Sequence, residues 1–415
     1  MWGNPSHLAE LQRIIKEVHF QPTEEGLELH TLVAATNSDE HTYDGIDWGG
    51  ERVAEEIYDE VQKLKDDGKT VVRFSVTGYS LGGLVARYLV GILQQRRFFD
   101  NVTPVNFNTV ATPHIGLLKY RTFLYKMFSK LGPHLLSRTG EQFYCVDKWS
   151  ARGRPLLEVM ADPDRIFYQA LASFTHIRIY ANAIFDMTVP YITSAIDLQD
   201  PFMEWQTNGL HIEFDEQYFP LLKSWELPSE PPVIEKPTLF SSAWWRQLKP
   251  ERPIFQIGRL SRFPYNILFY VAFPIIIPLF ISLAIIRLST ASRSSRSRIK
   301  LLETDDSSKS KLVHVIATLE KDMEDAFADF MDDPDAPIGG VVHDTHSPSA
   351  IYPKLTPLQR RMAASLNRLP LKKERAFIQG VRNSHAVIVS RNVKDFDFHR
   401  IGEGVIRHWA DSFIL

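Results

Sequence analysis

The stretch 71–89, VVRFSVTGYSLGGLVARYL, decides the fold. Its first half is β-branched and aromatic, and short enough for a single strand. Its second half repeats apolar positions at helical spacing. Between them stands Gly78-Tyr79-Ser80-Leu81-Gly82, a G-x-S-x-G motif. A serine on a sharp strand-to-helix turn is the signature of a nucleophile elbow. The turn forces the serine into a strained backbone conformation and lifts its hydroxyl above the sheet. Small neighbours are needed there, hence Gly78 and Gly82. The helix that follows points its first N–H groups toward developing negative charge, so the N–H of Leu81 is the expected first oxyanion donor.

Working outward, strand-like and helix-like segments alternate. Residues 6–19, 50–66, 81–95 and 155–173 read as helices, and 27–35, 71–77, 104–110 and 176–184 as strands. Alternation at this length predicts βαβ units and a mainly parallel sheet flanked by helices. Residues 117–150 mix aromatics, bases and leucine pairs, and read as a lid insertion. Residues 199–354 form a second, larger insertion. It comprises a Pro- and Trp-rich part to about 253, an apolar run 263–286, a Ser-rich charged stretch 289–310 expected to be mobile, an acidic helix 311–331 and a loop 332–354. The core pattern resumes from 355 to 415, with a helix at 357–367, a strand at 385–390 and a last helix at 399–412. The first part of the core thus runs over 1–198.

A serine at its ordinary pKa is a poor nucleophile and needs a histidine base oriented by a carboxylate. Behind a nucleophile elbow the chain order is Ser, then Asp or Glu, then His. The acid should follow a strand. Asp186 does so directly after HIRIYANAI (176–184), while Asp197 and Asp162 are less well placed. The histidine should lie late. His343 and His346 fall in the loop, His399 and His408 on the last helix. His385 stands at the mouth of the strand HAVIVS (385–390), and is the expected base.

Four segments, GYSLGGLVARY (78–88), NTVATPHIG (108–116), YANAIFDMTVPY (180–191) and NSHAVIV (383–389), resemble the putative serine esterase family of α/β-hydrolases, and within it the fungal lipid-droplet phospholipases. The resemblance covers residues 1–200 and again about 355 to the end. It implies an α/β-hydrolase fold with Ser80, Asp186 and His385 as the triad. It also implies a strand ending in a His-Gly-Leu-Trp-Gly-Asn-Pro-like turn ahead of the first helix, which supplies the second oxyanion N–H. This chain opens with MWGNPSHLAEL, inside that turn, so the resemblance implies a front truncated within the motif, with Met1 as the candidate second donor.

The apolar run 263–286 carries no charge and is long enough, as a helix, to cross a bilayer core. Ser80 and Asp186 precede it and His385 follows it, so a single crossing would divide the triad between two compartments. A hairpin that dips into one leaflet, broken near Pro274 and Pro278, satisfies both facts, with a helix buried under the lid and a true span as the alternatives. Arg262 on one flank, with Arg287 and Arg293 on the other, would then meet anionic headgroups.

The bulk numbers narrow the class. The chain has 415 residues and a net charge of −3, which argues against a general affinity for nucleic acid. Its single cysteine, Cys145, gives no internal disulfide, and Met1-Trp2-Gly3-Asn4-Pro5 lacks the pattern of a secretory leader, so a cytosol-facing protein is expected. Neither zinc-ligand spacing nor a phosphate-binding Gly-Lys-Ser loop occurs, and no metal or cofactor is expected. The expected function is hydrolysis of lipid acyl esters at a membrane surface, with the lipid as the expected partner and neither nucleic acid nor metal. The resemblance favours glycerophospholipid as substrate and implies a lipid droplet or endoplasmic reticulum setting. Two other readings stay open: acyl transfer or acyl-protein thioesterase activity on the same triad, and a dead hydrolase core serving as a membrane-surface binding protein.

Overall fold

In the computed structural model, residues 2–118, 130–229, 265–304 and 353–415 are described, with the isolated residues 120 and 232. Four strands form one parallel sheet: β1 (Arg73–Tyr79), β2 (Thr103–Val110), β3 (His176–Asn182) and β6 (Leu371–Ala376), in the order β1-β2-β3-β6. Helix α1 (Ala9–Val18) and the last helix α10 (Glu403–Asp411) pack on each other over one face. Helices α2 (Ile46–Asp66), α3 (Leu81–Gln95) and α6 (Ile166–Ala172) pack over the other, in the larger core. Both faces of a parallel sheet must be covered, and here each has its own apolar cluster.

Helix α3 explains its own placement. Twelve of its fifteen residues are buried, so it is a core helix packed between neighbours. Gly91 lets the ring of Phe167 from α6 approach its backbone. Arg87 is buried on the same helix and donates to the carbonyls of His114 (2.8 Å) and Met160 (3.0 Å), tying the turn after β2 to α5 (Leu156–Met160). Helix α9 (Pro357–Leu366), which leads into β6, starts with a capping box of Thr356 and Gln359 and a proline at its first position.

Several expectations are corrected. Residues 27–35 form no strand, although their exposure alternates along most of the run as a half-buried strand's would. A strand needs a ladder partner, and among the described residues this run has none. Side chains tie it down instead: Gln12 to Thr31, His30 to Glu60, and Glu56 to the N–H groups of Ala35 and Thr36. The run 385–390 is also not a strand. It is a series of turns whose Val387, Ile388 and Val389 are fully buried, and the last strand is the charged LKKERA of β6. Residues 155–173 divide into α5 and α6 around the turn 161–165.

Where residues are described, from 265 to 304, the expected hairpin (263–286) and the first part of the expected mobile stretch (289–310) are replaced by one helix, α8 (Tyr265–Thr304), which runs through Pro274 and Pro278; residues 263–264 and 305–310 lie outside the described residues. The missing N–H of Pro278 is the one that would have bonded the carbonyl of Pro274. Both interruptions therefore lie on one face, and the remaining ladder carries the helix past them. Within the proposed lid, α4 (Ser137–Phe143) is docked on the core: Thr139 and Gln142 accept from the N–H groups of Gly45 and Ile46 at 2.9 and 2.6 Å. The second insertion contains an antiparallel pair, β4 (His211–Phe214) and β5 (Leu222–Glu226). Met1, residues 121–129, Arg262, the acidic stretch 311–331, His343 and His346 lie outside the described residues.

Candidate active site

Ser80 follows β1 immediately, Asp186 lies four residues past the end of β3, and His385 nine past the end of β6. All three therefore stand at the carboxyl edge of one parallel sheet, where ligands bind in open α/β folds. Ser80 has φ 55° and ψ −124°, a backbone region that L-residues rarely adopt. Its N–H is held by the Val110 carbonyl (2.8 Å), and its own carbonyl accepts from Gly83 (3.1 Å). The turn is thus braced on β2 and on the first turn of α3.

The structure brings the three side chains together. His385 Nε2 lies 3.0 Å from Ser80 Oγ, and His385 Nδ1 lies 2.9 Å from Asp186 Oδ2. Four donors converge on the Asp186 carboxylate. Oδ2 takes the imidazole and Asn182 Nδ2 (2.8 Å). Oδ1 takes the N–H groups of Thr188 (2.9 Å) and Val189 (2.7 Å). The carboxylate cannot rotate without losing several of these bonds, so the imidazole is aimed by a fixed acceptor. Leu81 is the first residue of α3, and its N–H has no acceptor four residues back. It is the first N–H behind the nucleophile, the position expected of an oxyanion donor. Chemically, the arrangement suits a nucleophile, a base touching it, and an acid that orients the base.

Gly78 and Gly82 fare differently. A Cβ on Gly78 would collide with Gly83 Cα and Gly82 O, as the elbow requires. A Cβ on Gly82 would meet nothing within 4 Å. The crowded third glycine is Gly83, whose Cβ would run into the side chain of Thr112. The small-neighbour requirement therefore falls on Gly78 and Gly83.

Other groups completing the site carried weak signals or none. Tyr79 donates its hydroxyl to the His385 carbonyl and lies against the imidazole. Asn383 accepts from the N–H groups of Met187 and His385, both at 3.2 Å, joining the acid loop to the base loop. The spacings Asn182 to Asp186 and Asn383 to His385 are visible in the sequence but mean nothing until the loops meet. Behind the elbow, His114 is fully buried, bonded to Thr109 (2.9 Å), and burial pushes its pKa well down, so it is neutral. The rival acids are engaged elsewhere: Asp162 with Arg154 (2.9 Å), Asp197 with Lys373 (2.6 Å) and Tyr191 (2.6 Å). His408 bonds Tyr180, and His399 accepts from the Asn392 N–H. Phe185 and Met187, on either side of Asp186, are 43% and 75% exposed, which puts apolar surface at the mouth of the site. Among the described residues no group of His, Cys, Asp or Glu side chains could hold a metal ion.

Comparison with known proteins adds to this geometry. A protein of Schizosaccharomyces pombe described as a putative lipase is 29% identical over 201 residues, 47% of this chain and 25% of the relative. Putative lipase ROG1 of Saccharomyces cerevisiae is 30% identical over 157 residues, 37% of this chain and 22% of the relative. The chain thus matches only about a quarter of the length of these curated relatives. No solved structure gives a significant match. Residues 1–196 match the family described as "Putative serine esterase (DUF676)", a span that includes Ser80 and Asp186 and stops short of His385. Over residues 1–196 the chain is similar to that putative serine esterase family.

Proposed function

We propose that this protein is a serine hydrolase that cleaves acyl esters of glycerophospholipids at a cytosol-facing lipid surface, of a lipid droplet or the endoplasmic reticulum. The observation that carries the reading is the continuous hydrogen-bonded line from Ser80 Oγ through the His385 imidazole to Asp186. Ser80 Oγ attacks the ester carbonyl as its proton passes to His385 Nε2. The oxyanion so formed is met by the Leu81 N–H. Collapse of the tetrahedral intermediate expels the alcohol, which takes the proton back from Nε2. A water, deprotonated by the same nitrogen, then attacks the acyl-serine and releases the fatty acid.

The lipid part of the reading is supported by apolar surface at the mouth of the site and by α8. Its stretch from Pro274 is long and apolar enough to enter a membrane, with mean hydropathy 2.0 over its most apolar window. Relatives described as lipases agree with it. Fluorophosphonate labelling of the full chain beside Ser80→Ala tests the chemistry, and labelling lost only in the variant is expected. Fatty acid release from phosphatidylcholine vesicles, against a triacylglycerol emulsion, tests the substrate. A folded chain that takes no label removes the hydrolase reading, and faster release from triacylglycerol removes the phospholipid reading.

A further inference from the structure

Helix α8 has two halves of opposite character. From 274 to 286 its side chains are mostly exposed, and apart from Ser282 they are apolar: Ile275 is 73% exposed, Phe280 69% and Ile286 59%. From Ala291 onward one face is buried on the hydrolase core. Ala291, Ser295 and Ile299, four residues apart, line that face with Ser292. Ser292 donates to the carbonyl of His134 (3.0 Å), and Ser295 Oγ receives the hydroxyl of Ser137 (3.3 Å). Arg298 closes the contact. It donates to Asp44 Oδ1 (2.9 Å) and to the Glu40 carbonyl (3.0 Å), and lies 3.7 Å from the Glu40 carboxylate. Asp44 is fully buried and also held by Arg52 at 2.9 Å.

We infer that α8 is a rigid mount: its apolar half enters an anionic lipid surface, and its second half, clamped by Arg298 on Asp44 and Glu40, fixes how the catalytic cleft stands relative to that surface. This rests on the lipid-surface reading above. The occupant follows from chemistry. The exposed half is apolar on every side, which a lipid interior accepts, whereas a protein groove covers one face of a helix. From 265 to 302 the helix has no acidic residue, while Arg287, Arg293, Arg296 and Lys300 are exposed just past the apolar half, the pattern that meets anionic headgroups. The depth follows from geometry. Residues before and after α8 build the same site, so the helix enters and does not cross. Because the helix is one piece, tilting its inserted half tilts the core with it. The clamp matters for a substrate that is itself fixed in the surface, and not for an ester that diffuses freely in water.

The test uses the full chain with two variants, Arg298→Ala and the double variant Ile281→Asp with Leu283→Asp. Each is assayed by co-sedimentation with phosphatidylcholine vesicles, with and without phosphatidylserine, and by vesicle lipid hydrolysis divided by hydrolysis of a soluble p-nitrophenyl ester. Asp44 keeps Arg52 in the first variant, so the fold retains a partner for the buried carboxylate. The inference expects the double variant to lose vesicle binding, and the parent to bind more strongly with phosphatidylserine. It expects Arg298→Ala to bind vesicles like the parent while its activity ratio falls at least about tenfold. Vesicle binding that survives the double variant overturns the surface, and an unchanged ratio in Arg298→Ala overturns the clamp. Hydrogen exchange of residues 291–299 on vesicles reads the clamp without activity. Faster exchange in Arg298→Ala is expected, and equal exchange overturns it. A parent that hydrolyses neither substrate defeats the hydrolase reading, while the binding and exchange results still decide the mount.

Discussion

The hydroxyl of Tyr79 donates to the backbone carbonyl of His385 at 2.8 Å, and its ring centroid lies 5.1 Å from that of the imidazole, at 33°. The residue before the nucleophile thus holds the base in place, so β1 carries the attacking oxygen and also part of the support for the group that activates it. Tyr79→Phe keeps the ring and deletes the bond. The net worth of one such bond is about 1 kcal/mol, so kcat should fall roughly three- to tenfold. KM for a soluble ester should not change, because no substrate contact is removed. Steady-state kinetics decide this, and an unchanged kcat would mean that the hydroxyl does not position His385.

Asp186→Asn should be far more damaging to rate than to fold. The amide oxygen can still accept from Thr188 and Val189, but its NH2 would then face His385 Nδ1–H and Asn182, donor against donor. The imidazole is pushed toward the wrong tautomer, and kcat should drop on the order of 10²–10⁴. A melting temperature close to the parent's, measured alongside, separates this from unfolding.

The glycines of the elbow should divide as the space around them divides. Gly83→Ala must displace Thr112, and Gly78→Ala must displace backbone, so each should cost about 2–4 kcal/mol of stability. Gly82→Ala enters open space and should melt like the parent. Denaturant titration of the three variants checks this, and equal losses at all three positions would contradict the geometry.

Glu51 makes stability depend on pH. It is buried on α2 with one oxygen unpartnered and the other 3.4 Å from Arg96, and burial pushes its pKa from 4.5 up to about 8. Between those values the unfolded carboxyl has lost its proton and the folded one keeps it. Its contribution to stability is therefore highest below about 4.5 and falls as pH rises to about 8, by on the order of a few kcal/mol. Glu51→Gln should melt above the parent at pH 8 and near it at the acid end. Melting curves across that range test the sign.

Much of this molecule was legible along the chain because its signals are local. A strand, a G-x-S-x-G turn and a helix are contiguous, and the helix at 81–95 appears at the expected bounds. The chemistry that a serine needs called for an acid and a histidine, and the order Ser80, Asp186, His385 then followed from the nucleophile elbow. What the tertiary structure decided is what depends on distant partners. Residues 27–35 have a strand's alternation, yet no neighbour completes a ladder beside them. LKKERA carries four charges in six residues, and it is a strand because β3 offers backbone bonds while Asp197 meets Lys373 and Arg178 meets Glu374. HAVIVS has the apolar content of a strand but needs only burial, which turns provide as well. The prolines of α8 and the open space at Gly82 make the same point. Sequence determines which groups must be buried, bonded or strained, and only the assembled fold determines which neighbour does it.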